Sequence, residues 1–118
     1  MILVGDTLYF DAYDGNSGRE LWAHDTTNDL TWQVADITSG SGSSYAGQHM
    51  DILVGDTLYF DAIDENDDHE LWAHDTSNHS TWQVSDFCTG DVAAATCSDP
   101  GRYLAILVGD TIYFDLLL

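Results

Sequence analysis

Apolar and polar positions alternate along this chain in the same way three times over. Ile2-Leu3-Val4 is a short apolar run, Gly5-Asp6 is turn chemistry, and Thr7 to Ala12 (TLYFDA) is rich in β-branched and aromatic residues. Asp14 to Gly18 is a polar, Gly-containing loop. Glu20 to Asp25 (ELWAHD) and Thr31 to Ile37 (TWQVADI) are two further strand patterns, separated by Thr26 to Asp29, which reads as a turn. Nothing in the chain has helical periodicity. From Ile52 the whole pattern returns: 26 of the 36 positions from Ile2 to Ile37 are identical to those from Ile52 to Phe87, at a period of 50. A third copy begins at Ile106 (ILVGDTIYFD), and the spacing to it is 54, so the second linker is four residues longer. A strand-rich repeat of this length is a signature of propeller blades or a related β array.

The predicted fold is therefore all-β, with tandem four-stranded antiparallel propeller-blade-like repeats plus a C-terminal hairpin. Residues 1–50 form a first β repeat with a Ser/Gly-rich linker, 51–105 a second β repeat with a longer linker, and 106–118 a partial third. Two and a half units cannot close a ring of about four to eight blades. Either the units belong to a longer array, or several chains assemble, or the units stack into an open fibre. Leu116-Leu117-Leu118 sharpens the question, because three leucines at a sheet edge need cover. Another subunit could bury them, or they could fill this chain's own core.

Charge changes the picture of partners. The 118 residues carry 21 acidic and 2 basic side chains, Arg19 and Arg102, for a formal charge of −19. No basic face can be built, which excludes nucleic acid as a partner and disfavours an anionic membrane surface. No apolar run approaches the roughly 20 residues of a membrane helix, so no membrane insertion is expected. Met1 leads straight into strand pattern without a basic leader, so a secreted form implies a longer precursor. The 44% hydrophobic content is too high for a disordered acidic tail. Self-repulsion on this scale calls for screening by salt or bound cations.

Several groups of residues could carry chemistry. Asp64, Asn66, Asp68 and Glu70, preceded by Asp61, place oxygens at the alternate positions that calcium loops use, and calcium takes about six to eight oxygen ligands. The first unit keeps Asp11, Asp14, Asn16 and Glu20 but has Gly18 where the second has Asp68, so it should bind more weakly. The alternative is a solvated acidic loop. The five histidines form no HxH or HxxxH pair, which disfavours zinc. His24 and His74 are more simply strand residues with one nitrogen satisfied.

Cys88 and Cys97 bracket the enlarged second linker. In an extracellular protein they would form a disulfide, contributing about 2.7 kcal/mol in the chain-entropy model. Asn78-His79-Ser80 is an N-glycosylation sequence in the turn between third and fourth strands. Trp22, Trp32, Trp72 and Trp82 recur with the repeat, as residues packed between units do, and glycan-binding platforms are the competing use. No nucleophile motif or phosphate loop is present, and the abundant carboxylates carry no glycosidase signal, so no enzymatic activity is expected.

The segments Tyr9-Phe10-x-Ala12, Asp14-Gly15-x-x-Gly18-x-Glu20-Leu21-Trp22 and Val34-x-Asp36-Ile37 resemble the ELWxxDGT repeat family. That resemblance implies an extracellular, β-propeller-like repeat of the kind found in large bacterial and archaeal surface proteins, and it implies no particular activity. The chain departs from the pattern at His24-Asp25-Thr26 and His74-Asp75-Thr76, which replace the usual DGT, and at Glu65 and Asp68, which replace the loop glycines. The expected function is a non-enzymatic extracellular structural repeat that assembles with copies of itself into a surface filament. The competing expectation is a calcium-dependent glycan-binding or adhesion module within a larger β-propeller.

Overall fold

The computed structural model describes residues 1–38, 42–64, 69–85, 100–102 and 104–116. Among them there are ten strands and no helix. β1 (Ile2–Val4), β2 (Thr7–Tyr13), β3 (Arg19–Asp25) and β4 (Leu30–Ala35) form one four-stranded antiparallel sheet in sequential order. β5 (Asp51–Val54), β6 (Thr57–Ile63), β7 (His69–Asp75) and β8 (Ser80–Gln83) form a second of the same order, and β9 (Ala105–Val108) pairs with β10 (Thr111–Phe114) as a two-stranded hairpin. The all-β class and the division into two four-stranded sheets and a hairpin thus follow the repeat.

The local reasons are shared by the units. Gly5, Gly55 and Gly109 turn the first hairpin of each with φ of 59°, 61° and 62°, a conformation that favours glycine. The next turn is closed by an aspartate: Asp25 Oδ1 accepts the Thr27 and Asn28 N–H groups, and Asp75 Oδ1 those of Ser77 and Asn78. Thr26 and Thr76 tie the end of the third strand back to the first turn, each donating both its N–H and its hydroxyl to the carbonyl of Asp6 or Asp56.

Cross-strand partners share a sheet face, and register shows which face is the core. In the first sheet Tyr9 lies opposite Ala23, and Asp11 opposite Leu21. Tyr9, Leu21 and Ala23 are buried together with Leu58, Phe60 and Ala62 of β6. In the second sheet Leu58 pairs with His74, Phe60 with Trp72 and Ala62 with Glu70, which is the opposite parity. The core therefore forms where one face of the first unit meets the other face of the second. Trp22 and Trp72 are half-buried, Trp32 packs against the core, and Trp82 is exposed, so the four tryptophans do not share one environment.

β4 ends at Ala35, two residues short of the expected strand, because Asp36 and Ile37 turn away towards Glu20. Glu20 is fully buried. Its Oε1 accepts the N–H of Ile37 at 2.7 Å and its Oε2 that of Thr38 at 3.2 Å. Residues 42–50 then form a packed strap. Ser44 N donates to Arg19 O at 2.7 Å and Ile63 N donates to Ser44 O at 2.8 Å, while Thr38 Oγ1 donates to Ile63 O. Ser44, Ala46 and Met50 are buried. The two sheets are stitched by the linker as well as by their core.

Burial pushes the Glu20 carboxyl above its ordinary range, against the pull of the hydrogen bonds it accepts from Ser44, Ile37 and Thr38. Glu20→Ala strands a buried N–H at Ile37 and should destabilise the fold by about 1–3 kcal/mol at pH 7. Urea denaturation of the two proteins checks this, and an unchanged midpoint would count against the clamp.

Candidate metal centre

The strap from Gly47 to Met50 runs beside β6 and is held there by one aspartate. Gly47 takes φ of 76°, and its N–H donates to Asp61 O at 2.8 Å. Asp61 N donates to Met50 O at 3.3 Å. The Asp61 side chain is 1% exposed, and its Oδ1 accepts the N–H groups of His49 at 2.9 Å and Met50 at 3.0 Å. Its other oxygen, Oδ2, lies 3.4 Å from His49 Nδ1. His69 opens β7 opposite Ile63, one step along the same face as Asp61. Its ring stacks on that of His49, with centroids 6.1 Å apart and planes 13° apart. One ligand atom from each of His49, Asp61 and His69 lies within 4.8 Å of the others. Burial raises the Asp61 carboxyl above its ordinary range, opposed first by the Met50 and His49 N–H groups and then by the two imidazoles.

The first unit solves the same problem differently. Arg19 occupies the position of His69 and Asp11 that of Asp61. The Arg19 Nε lies 2.8 Å and its Nη2 2.5 Å from Asp11 Oδ2. Its guanidinium also sits 5.7 Å above the Tyr45 ring. The third unit repeats the strap: Gly101 has φ of 74°, its N–H donates to Asp115 O, and Leu104 N donates to Asp115 Oδ1 at 3.0 Å.

Among the described residues, the oxygens expected to hold calcium emerge on both sides of the sheet. Asp61 faces one side with Leu71, while Glu70 faces the other with Ala62. The parity is the same in the first unit, where Asp11 pairs with Leu21 and Glu20 with Ala12. Asp11 is bound to Arg19, Glu20 to the linker, and Asp14 closes its own loop by accepting the N–H groups of Asn16 and Ser17. Those two N–H groups hold the Asp14 carboxyl below its ordinary range. Asn16 is exposed and Asp64 half-buried, while Asn66 and Asp68 lie outside the described residues. So do Cys88, Cys97, Leu117 and Leu118; Leu116 is half-buried. Asn78 is exposed in its turn, with Oδ1 accepting the N–H and hydroxyl of Ser80.

Sequence spacing missed the histidine group because its members come from three segments. Alignment of the units did carry a signal: Arg19 is exchanged for His69 beside an unchanged aspartate.

A cleft of about 590 Å³ opens between the sheets, walled by Tyr9, Trp32, Leu30, Asp25, His74 and His79. His24 and His74 each place Nδ1 2.7 Å from a threonine hydroxyl, Thr31 or Thr81. His24 is half-buried. His74 is fully buried under Tyr9, with ring centroids 5.6 Å apart, and its Nε2 has no hydrogen-bond partner among the described residues. Comparison with family models, with curated proteins and with solved structures finds no match.

Burial, and secondarily the nearby His79, holds the His74 imidazole below its ordinary value. The unfolded chain then takes up the proton more readily than the native one. The resulting stability is intact above about pH 6.5 and is lost as pH falls towards the native value. Urea denaturation at pH 7.5 and 5.5 should show a larger loss for the native sequence than for His74→Gln. Equal losses in both would remove His74 as the cause.

Proposed function

We propose that this chain is a non-enzymatic extracellular structural protein whose repeats stack face to face like propeller blades, and that copies join head to tail into a surface filament. The observation that carries the reading is the unequal burial of one repeated residue. Tyr9 is 4% exposed because the second unit covers it, whereas its equivalent Tyr113 is 55% exposed. Ile106 and Val108 flank Tyr113 on β9 and are exposed with it. At the other end the outward face of the first sheet carries Leu3, 58% exposed, beside half-buried Leu8, Phe10 and Trp22.

These two ends are the same two faces that form the core between the first and second units. A second copy can therefore place its Leu3 face on the Tyr113 face and repeat the internal contact. Each apolar side chain so buried contributes about 1.5–3 kcal/mol. Unlike ends give a heterologous contact, which propagates unless it closes into a ring. The extracellular setting rests on the family resemblance and agrees with exposed Asn78 as a glycan acceptor and with Cys88–Cys97 as a disulfide. Calcium in the Asp64 loop would help screen the acid load. The half-buried Leu116 adds apolar surface beside β10.

The aromatic cleft favours a second reading, a glycan-binding module within a larger propeller. In that case the next unit of the same chain covers Tyr113, and glycan binding to the isolated chain should be lost in Trp32→Ala.

Mixing variants tests the filament. Tyr113→Asp and Leu3→Asp should each abolish assembly alone, because every contact needs one face of each kind. Their mixture should form heterodimers and nothing longer, as read by analytical ultracentrifugation. If Leu3→Asp chains still self-associate, the contact pairs like with like and the head-to-tail arrangement fails. A native chain that stays monomeric at high concentration in calcium overturns the filament in favour of the second reading.

A further inference from the structure

We infer that His49, Asp61 and His69 bind one zinc-class divalent ion per chain, clipping the strap between the units to β6 and β7. Three observations converge on this. The donor atoms come from three separate segments yet lie within 4.8 Å of one another. In a tetrahedral site with bonds of about 2.0–2.1 Å, neighbouring ligand atoms are about 3.3–3.5 Å apart. The His49 Nδ1 to Asp61 Oδ2 distance of 3.4 Å already matches that edge. The third ligand atom, on His69, lies within 4.8 Å of the other two.

The second observation is division of labour within Asp61. Its Oδ1 is committed to two backbone N–H groups, which fixes the carboxylate and aims Oδ2 at the histidines. A ligand held by outer hydrogen bonds is the usual arrangement around a protein-bound metal. The third is the comparison between units. Beside Asp11 the first unit has a permanent cation, the Arg19 guanidinium, within hydrogen-bond distance. Beside the more deeply buried Asp61 the second unit has two imidazoles, which are metal ligands when neutral. The arginine's charge is replaced by an exchangeable one.

Donor chemistry selects the ion. Two nitrogens and one available carboxylate oxygen suit zinc and its neighbours, and they fall well short of the all-oxygen shell that calcium requires. Three protein ligands leave the fourth position for water or an outside group. The inference is independent of the filament reading, since the site lies wholly within one chain.

The experiment uses the full chain, zinc, calcium and a chelator. Zinc at a hundredfold excess over its dissociation constant should raise the folded-to-unfolded ratio about a hundredfold, and calcium at the same concentration should not displace it. Cobalt should bind one per chain with the visible absorption of a tetrahedral site. Asp61→Asn keeps an oxygen for the His49 and Met50 N–H groups and should still fold, but it should lose most of the cobalt signal. His69→Arg imports the first unit's ion pair. It should abolish metal binding and be at least as stable in chelator as the native sequence. Cobalt spectra unchanged by both substitutions would mean the ion sits on other histidines and would overturn the site. Equal stability in zinc and in chelator, with stabilisation only on acidification, would overturn it in favour of imidazoliums balancing Asp61.

Discussion

The structure depends on carboxylates that are turned inward to hold backbone. In a chain with a net charge of −19, the acids that matter most for the fold are the ones removed from water. Glu20 receives the chain as it leaves β4, and Asp61 receives it as it approaches β5. Between them Ile37, Thr38, Ser44, Gly47, His49 and Met50 are each hydrogen-bonded to one of the two sheets. A buried carboxylate is tolerable when backbone N–H groups converge on it, and it is costly otherwise. The same group that constrains the linker therefore needs the linker in place to stay buried, which makes the connection and the sheets cooperative. Asp115 and the Leu104 N–H repeat the device at the third unit, so it belongs to the repeat itself and not to one junction.

The clamps also set the direction of stacking. Asp11 and Asp61 share a face with Tyr9 and Tyr59, while Glu20 and Glu70 share the opposite face with Phe10 and Phe60. Each unit thus has two chemically different sides, and the linker from the first unit to the second runs from the Glu20 side of one to the Asp61 side of the other. Nearly identical sequences then end in different surroundings. His24 is half-buried where His74 is sealed under Tyr9, and Trp32 packs against the core where Trp82 is exposed. Place in the stack, not residue type, decides these pairs.

Much of the fold was legible before any coordinates. Alternation at Thr7–Ala12, turn glycines at Gly5, Gly55 and Gly109, and the 50-residue period carry the strand order almost to the residue. The acids were harder to read. Carboxylates at alternate positions describe a calcium loop and a pair of backbone clamps equally well. What separates them is the side of the sheet on which each emerges, and that follows from hairpin register, not from spacing. The position of Asp61 inside a strand pattern, with Glu70 inside the next, was the available hint. The strap was missed for a related reason. Ser, Gly and Ala look like a flexible connection, yet they are also the residues small enough to be buried between two sheets. Its correspondence with Pro100-Gly101-Arg102, where Gly101 packs against Met50 at the same positive φ as Gly47, is visible only once both linkers are aligned backwards from the next strand.

Acid load and apolar ends act over different distances, and this shapes any association between copies. The repulsion between acidic surfaces extends over about 10 Å at 0.1 M ionic strength and shrinks as salt rises. Burial of Leu3 or Tyr113 is felt only on contact. Two copies approaching at low salt meet the repulsive term first, so the barrier to the proposed contact is electrostatic while its depth is hydrophobic. The same separation protects the sheet edges, because a misaligned approach gains little burial and keeps all of the repulsion. In the proposed contact, the aligned face-to-face approach is the one that would bury the apolar ends against that repulsion. If copies associate in this way, the lack of lysine is a means of specificity as well as a cost to stability, and bound cations would act where the two effects trade against each other.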